Sequence, residues 1–371
     1  MRMSVRDRST NKMPATQEQL AQTLESAKPE KNGSPQLAEG PLFVVGMFRS
    51  GTSLLYALLN QHPQIALMYE GDLAHLPSLF WFPTDTPRWL AQWEAWNGAL
   101  TRHNVDTSQI PAGISDLPTA LREAYVHYAR QKKQSATVWG CKSPIYFDEV
   151  SRLARTFPNA RFLIIWRDLR SVCGSVVKAA RDGGGYFQRK GMLLRVLMGY
   201  HEMKAQCDKV SSKGAALHQI CYEDLVRDPD GTMRGVCEFL QIPFDPKMTS
   251  LVGSDHSAIE DAPHHEMVKA ERIVAPKKKS SALPPMLKSK IDRYLFMWRK
   301  RYSGEWPPFP QSLEGEVAEP GLAERSWDKL NYAGLKLWYH ATPVFFAIVP
   351  FSLWTAYRKL RRRPYAWGDE G

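Results

Sequence analysis

The sequence predicts an α/β fold: three layers built on a central, mainly parallel sheet, followed by a C-terminal apolar helical segment. Three observations predict it. The stretch Phe43–Leu59, FVVGMFRSGTSLLYALL, runs from an apolar strand through a glycine loop into a helix. From Pro41 onward, short apolar runs alternate with helical periods, the pattern of a parallel sheet with crossover helices. The run RFLIIWR, the most strand-like of all, leads directly into LRSVCGSVVKAAR, a helical period.

The elements follow in order. Residues 1–40 are polar and rich in Gln, Lys, Ser and Pro, and are expected to be a disordered tail. PLFVVGM is a strand and SLLYALLNQ the helix after it. ALREAYVHYARQ is helical and ATVWGCK is a strand. PIYFDEVSRLARTF reads as one helix opening at Pro144, which suits the first turn. LLRVLMGYHEMKAQCDKV and DGTMRGVCEFL are helices, with ALHQICYEDL as a strand between them. LKSKIDRYLFMWRKRY is a late helix. Residues 306–334, rich in Pro, Gly and Glu, read as a linker.

Residues 335–371 differ in character. From Leu337 to Tyr357 there is no Lys, Arg, Asp or Glu, and RKLRRR follows. About 20 apolar residues span a bilayer. Aromatic residues near the ends and a basic cluster beyond fit an anchor with its basic end cytoplasmic. Pro343 and Pro350 leave three forms open: a span, a kinked helix in one leaflet, or an apolar helix packed on the domain. The expectation is membrane contact through residues 337–363, at the cytoplasmic face.

The 371 residues are 43% hydrophobic and 23% charged, with a net charge of +11. Such a balance suits anionic ligands without choosing one; nucleic acid is not expected as a partner. Five cysteines occur with no CxxC pair, which points to free thiols rather than to disulfides or zinc. His264 and His265 are adjacent, a poor spacing for a shared metal, so none is expected. Trp89, Trp93 and Trp96 have helical spacing and are read as core packing. Arg181–Phe187, RDGGGYF, reads as a flexible loop, and Lys277–Lys279 as a solvated basic run.

The glycine loop carries the chemistry. Gly46 and Gly51 permit a tight path, and the N–H groups at the helix start favour an anion. Ser50, Gly51, Thr52 and Ser53 are placed to cradle it, with Arg49 reaching in from the side. The loop is P-loop-like, yet Thr52 stands where a nucleotide triphosphatase needs lysine. Arg167 ends RFLIIWR where a Walker B aspartate would be sought, and a magnesium site would want carboxylates. Ser175 lies eight residues after Arg167, about two helical turns. Together they suit a second anion, although Arg167 alone also fits a strand-end ion pair.

RSGTSLL, WGCKSP, FPNARFLIIWRDLRSVCGS and CYEDLVRDPDGTMRGVCEFLQIPF, taken in order, resemble the successive motifs of sulfotransferases that use 3′-phosphoadenosine 5′-phosphosulfate. The resemblance covers about Pro41 to Met248, within a domain expected at 41–305. It is closer to the Golgi, tyrosylprotein and bacterial branches than to the cytosolic aryl branch, since the loop has Arg49 and GCKSPIY lacks a histidine. It implies that Ser50–Ser53 hold the 5′ group, that Arg167 and Ser175 hold the 3′-phosphate, and that Tyr222 approaches the co-substrate. Glu70, 21 residues after Arg49, matches the branch's base, and Lys142 its catalytic lysine. Asp72 is an alternative base. The chemistry agrees: arginine and lysine stabilise charge on the leaving oxygen without a metal, and a carboxylate takes the acceptor's proton. The acceptor expected is a hydroxyl of a glycan, lipid or small molecule. A P-loop kinase or NTPase with a degenerate loop, and a non-catalytic anion- or membrane-binding protein, are the alternatives.

Overall fold

In the computed structural model, the described residues are 36–71, 117–182, 186–188, 192–259 and 285–302, with isolated positions elsewhere. Residues 1–35 of the expected N-terminal tail, Asp72, Trp89, Trp93, His264, Lys277–Lys279 and the apolar run after Leu337 lie outside them; the end of that tail is described, and Ala38 donates its amide to the Thr137 carbonyl at 2.8 Å. The fold lies within one compact unit, Leu37–Gly371.

Five parallel strands form the sheet: β1 (Leu42–Gly46), β2 (Ile65–Tyr69), β3 (Val138–Lys142), β4 (Arg161–Trp166) and β5 (Ala216–Cys221), in the order β2-β3-β1-β4-β5. Strands β1 to β4 are buried almost throughout because both faces are covered, whereas β5, at one edge, is half exposed. Side chains alternate between two cores. Phe43, Val45, Phe162, Ile164 and Trp166 enter one; Leu42, Val44, Leu163 and Ile165 enter the other. Each such buried side chain is worth roughly 1.5–3 kcal/mol.

Helix α1 (Thr52–Leu59) follows β1 and packs on the second face. Helices α2 (Leu117–Lys132), α3 (Val150–Thr156), α4 (Leu169–Arg181) and α5 (Met192–Ser211) cover the first. Helices α6 (Tyr222–Arg227) and α7 (Pro229–Leu240) return to the second face. A short α8 (Glu266–Lys269) follows, and α9 (Pro285–Tyr302) lays Ile291, Tyr294 and Leu295 back into the first core. Side chains start α4 and α7: Asp168 accepts from the Ser171 amide at 2.7 Å, and Asp228 from that of Gly231 at 2.9 Å. A cap of this kind contributes about 1 kcal/mol.

Two sequence expectations change. The helix expected from Pro144 breaks into a 3-10 turn, Pro144–Asp148, and α3. The cause is Gln206 of α5, whose side chain donates to the Asp148 carbonyl and accepts from the Ser151 amide, occupying the gap. The strand expected through Leu225 stops at Cys221, where its ladder with β4 ends at Trp166; Tyr222 already begins α6. In the expected linker, the described positions from Leu322 onward are helical and exposed. Trp96 is fully buried, as a core residue should be. All five cysteines are buried free thiols.

Candidate active site

Strand order explains where the site forms. From β1 the chain goes to one side for β2 and β3, then to the other for β4 and β5. The carboxyl ends of β3 and β4 therefore flank the end of β1, and ligands in open α/β sheets bind in such a crevice. Registers place the ends level: Tyr69 opposite Lys142, Gly46 opposite Ile165, and Trp166 opposite Cys221. Glu70, Lys142, the loop after Gly46, Arg167 and Tyr222 thus share one edge of the sheet.

The loop turns as the sequence demands. Ser50 donates its amide to the Met47 carbonyl at 3.0 Å, and Gly51 caps α1 with φ of 104° and no side-chain cap. The first N–H groups of α1 therefore remain for a ligand, with the helix dipole behind them. A Cβ on Gly51 would lie 2.3 Å from the Tyr222 ring, so glycine also lets that ring close over the loop. The Tyr222 ring in turn carries the Arg167 guanidinium, 4.0 Å from its centre.

Arg167 Nη1 donates to the Arg49 carbonyl at 2.8 Å, and Arg49 Nε donates to Ser175 Oγ at 3.1 Å. The second anion site expected from Arg167 and Ser175 is thus joined to the loop through Arg49. Burial, and next the charge of Arg167, bring the Arg49 guanidinium down to about 10. Two like charges held this close are a physical invitation to an anion. Arg49 itself has φ of 69°, in the left-handed region that non-glycine residues enter at a cost.

On the other side of the loop, Lys142 is fully buried and paired with Glu70. Burial pulls the Lys142 ammonium below its usual range, with Glu70 opposing. Lys142 also donates to Ser53 Oγ at 3.4 Å and lies 4.0 Å from the centre of the Tyr69 ring. Tyr69 reaches Ser53 through its hydroxyl at 2.9 Å. Glu70 has φ of 48°, and its amide donates to the Lys142 carbonyl at 2.9 Å, extending the β2–β3 pairing one residue beyond the strand.

The fold therefore brings every described candidate together: Arg49, Ser50, Gly51, Thr52, Ser53, Glu70, Lys142, Arg167, Ser175 and Tyr222. Ser50 differs from its expected posture. It is fully buried, its hydroxyl tucked beside Gly46, where a Cβ would come within 2.6 Å of it. The hydroxyls of Ser50 and Ser143 are buried with no hydrogen-bond partner among the described residues. Such groups are costly unless a ligand meets them. The sequence reading missed Ser143, Tyr69, Asp168 and Glu223. Glu223 Oε1 accepts from the Asp168 amide at 3.1 Å, tying β5's end to β4's. Only Ser143 carried a sequence signal, as the neighbour of Lys142. No cluster of three metal-ligating side chains occurs among the described residues.

The chain is 27% identical over 221 residues to protein-tyrosine sulfotransferase A of Caenorhabditis elegans, covering 58% of this chain and 54% of the relative. It is 26% identical over 208 residues to protein-tyrosine sulfotransferase 1 of Danio rerio, covering 55% and 54%. The chain thus spans about half the length of these relatives. Among solved structures, the sulfotransferase domain from the curacin biosynthetic pathway aligns at 18% identity with a TM-score of 0.45, over 73% of this chain and all of that one. Residues 41–246, more than half the chain and all of the sheet, match the sulfotransferase family, to which this chain belongs.

Proposed function

We propose that the chain transfers a sulfuryl group from 3′-phosphoadenosine 5′-phosphosulfate to an acceptor hydroxyl, without a metal ion. One observation carries the reading: a buried Lys142–Glu70 pair beside an uncapped helix start that two further arginines adjoin. Membership of the family supports it.

The roles follow from position. The amides at the start of α1, with Thr52 and Ser53, hold the 5′ phosphosulfate, and the buried Ser50 hydroxyl lies beneath them. Arg167 and Ser175 hold the 3′-phosphate, and the Tyr222 ring lies against Arg167. Glu70 is the base. The acceptor's proton passes to its carboxylate as the acceptor oxygen bonds to sulfur. The bond from sulfur to the bridging oxygen breaks, and its electron pair stays on that oxygen. Lys142 and Arg49 neutralise the charge that develops there. The Lys142–Glu70 pairing aims both groups before the substrates arrive.

The acceptor is a hydroxyl of a glycan, lipid or small molecule in this reading; a protein tyrosine, named in the relatives, is the competing class. Purified full-length protein, labelled sulfate donor, cell extract and a chelator distinguish them by where label appears. Glu70→Gln should abolish turnover yet keep affinity for 3′-phosphoadenosine 5′-phosphate; full activity in that variant refutes the base. Strong magnesium-dependent phosphorylation from ATP would refute the reaction.

The same proposal places the protein at the cytoplasmic face of a membrane. Support comes from the charge-free run and basic cluster at 337–363, and from Leu322, Leu330 and Leu337, exposed at helical positions spaced eight and seven apart. Among the described residues no helix is long and apolar enough to cross a membrane. Fractionation of the full chain against one lacking 335–371 tests this; equal solubility removes the idea.

A further inference from the structure

Helices α4, α5 and α9 line a half-open cavity of about 460 Å³, whose described lining residues include none of those assigned above. That volume is ordinary for a small-molecule site. Val176 and Ala180 of α4, Leu193 and Leu197 of α5, Leu287 of α9, and Phe187 give it an apolar wall. Among the described lining residues the charged ones are Arg181 and Lys290, both cations. The nearest carboxylates in sequence are already engaged: Asp182 with Lys178, and Asp292 with Arg170 at 2.7 Å. Arg181 stands in the last turn of α4.

We propose that this cavity binds one single-chain anionic amphiphile, its hydrocarbon in the apolar cavity and its carboxylate or sulfate head paired with Arg181 and Lys290. Shape and charge agree on that class. Among the described lining residues there is no neutral polar side chain to meet a sugar or a nucleobase, and burying hydrocarbon there is favourable. The two cations add preference for an anionic head over a neutral one. Occupancy has a route to the donor loop. Phe187 lines the cavity, and its ring also packs on Phe48 at 6.5 Å and lies 6.0 Å from the Arg49 guanidinium. A ligand that holds Phe187 still therefore holds one wall of the loop. The binding inference does not depend on the sulfuryl-transfer reading.

The test is calorimetric titration of the full chain with decanoate below its micellar concentration, with decanol as the neutral probe. A parallel titration uses vesicles of phosphatidylcholine with phosphatidylglycerol. Saturable binding of decanoate, tighter than decanol, is expected. Arg181→Ala combined with Lys290→Ala should weaken decanoate roughly tenfold and leave decanol unchanged. Leu193→Trp, which fills the cavity, should abolish both. If that variant fails to fold, the charge variant still decides, since it alters surface groups only. Absence of saturable decanoate binding overturns the proposal. So does binding that neither variant changes, or binding seen with vesicles alone.

Discussion

Replacing Gly51 by alanine tests whether the loop's geometry and the site's electrostatics are one device. Gly51 has φ of +104°, and an added Cβ would lie 2.3 Å from Tyr222 Cδ2 and 2.7 Å from Cε2. Neither atom can give way cheaply. Tyr222 is 5% exposed, and its ring is held against Arg167 at 4.0 Å. The backbone conformation alone costs alanine ~1–2 kcal/mol. Displacing the ring from the guanidinium adds about 0.5–2 kcal/mol. Gly51→Ala should therefore destabilise the fold by roughly 1.5–4 kcal/mol, read as a lowered urea midpoint at unchanged slope. The ring's share is isolated by a double-mutant cycle with Tyr222→Leu, which removes the obstacle. The combined loss should fall short of the sum by about 0.5–2 kcal/mol. Affinity for 3′-phosphoadenosine 5′-phosphate should fall by about tenfold in the single variant. Strict additivity, or an alanine variant as stable as the parent, would refute the idea that Tyr222 closes on the loop because residue 51 lacks a side chain.

Further outcomes follow from other contacts. Tyr69→Leu removes the ring 4.0 Å from the Lys142 ammonium and should lower turnover by about fivefold to thirtyfold, with donor affinity nearly unchanged. Tyr69→Phe should keep most activity, and equal loss in both would deny the ring that role. Lys133 donates to the carbonyls of His62 at 2.9 Å and Ile65 at 2.7 Å, and to that of Asn60, so Lys133→Met should cost roughly 2–4 kcal/mol by denaturant titration. Burial pushes the Glu149 carboxyl up to about 7, with Arg152 opposing, against an ordinary 4.5. The folded state then binds the extra proton between those values. Its stabilising share is complete below pH 4.5 and lost as pH rises through 7. Thermal midpoints of the parent should fall over that window more steeply than those of Glu149→Gln; parallel curves would contradict it.

Much of the site was legible in the chain because its parts are local. A strand, a glycine turn and a helix start are written in consecutive residues, so Gly46 to Ser53 announce an anion site before any fold is known. The eight-residue interval from Arg167 to Ser175 likewise spans one strand end and one helix. The breaks in Pro144–Thr156 and at Cys221 were not legible, since they depend on Gln206 arriving from α5 and on where β4 ends.

The sequence by itself determined the elements, their alternation and the residue types able to hold anions, because periodicity and turn chemistry act over a few residues. Tertiary structure alone decided who touches whom. Strand order set Lys142 and Arg167 on either side of the loop. Parallel register brought Glu70, from an outer strand, against Lys142, and put Tyr69 against its ammonium. Ser175 bonds Arg49, with Arg167 on the Arg49 carbonyl, because the packing of α4 against the loop, not sequence spacing, sets those distances.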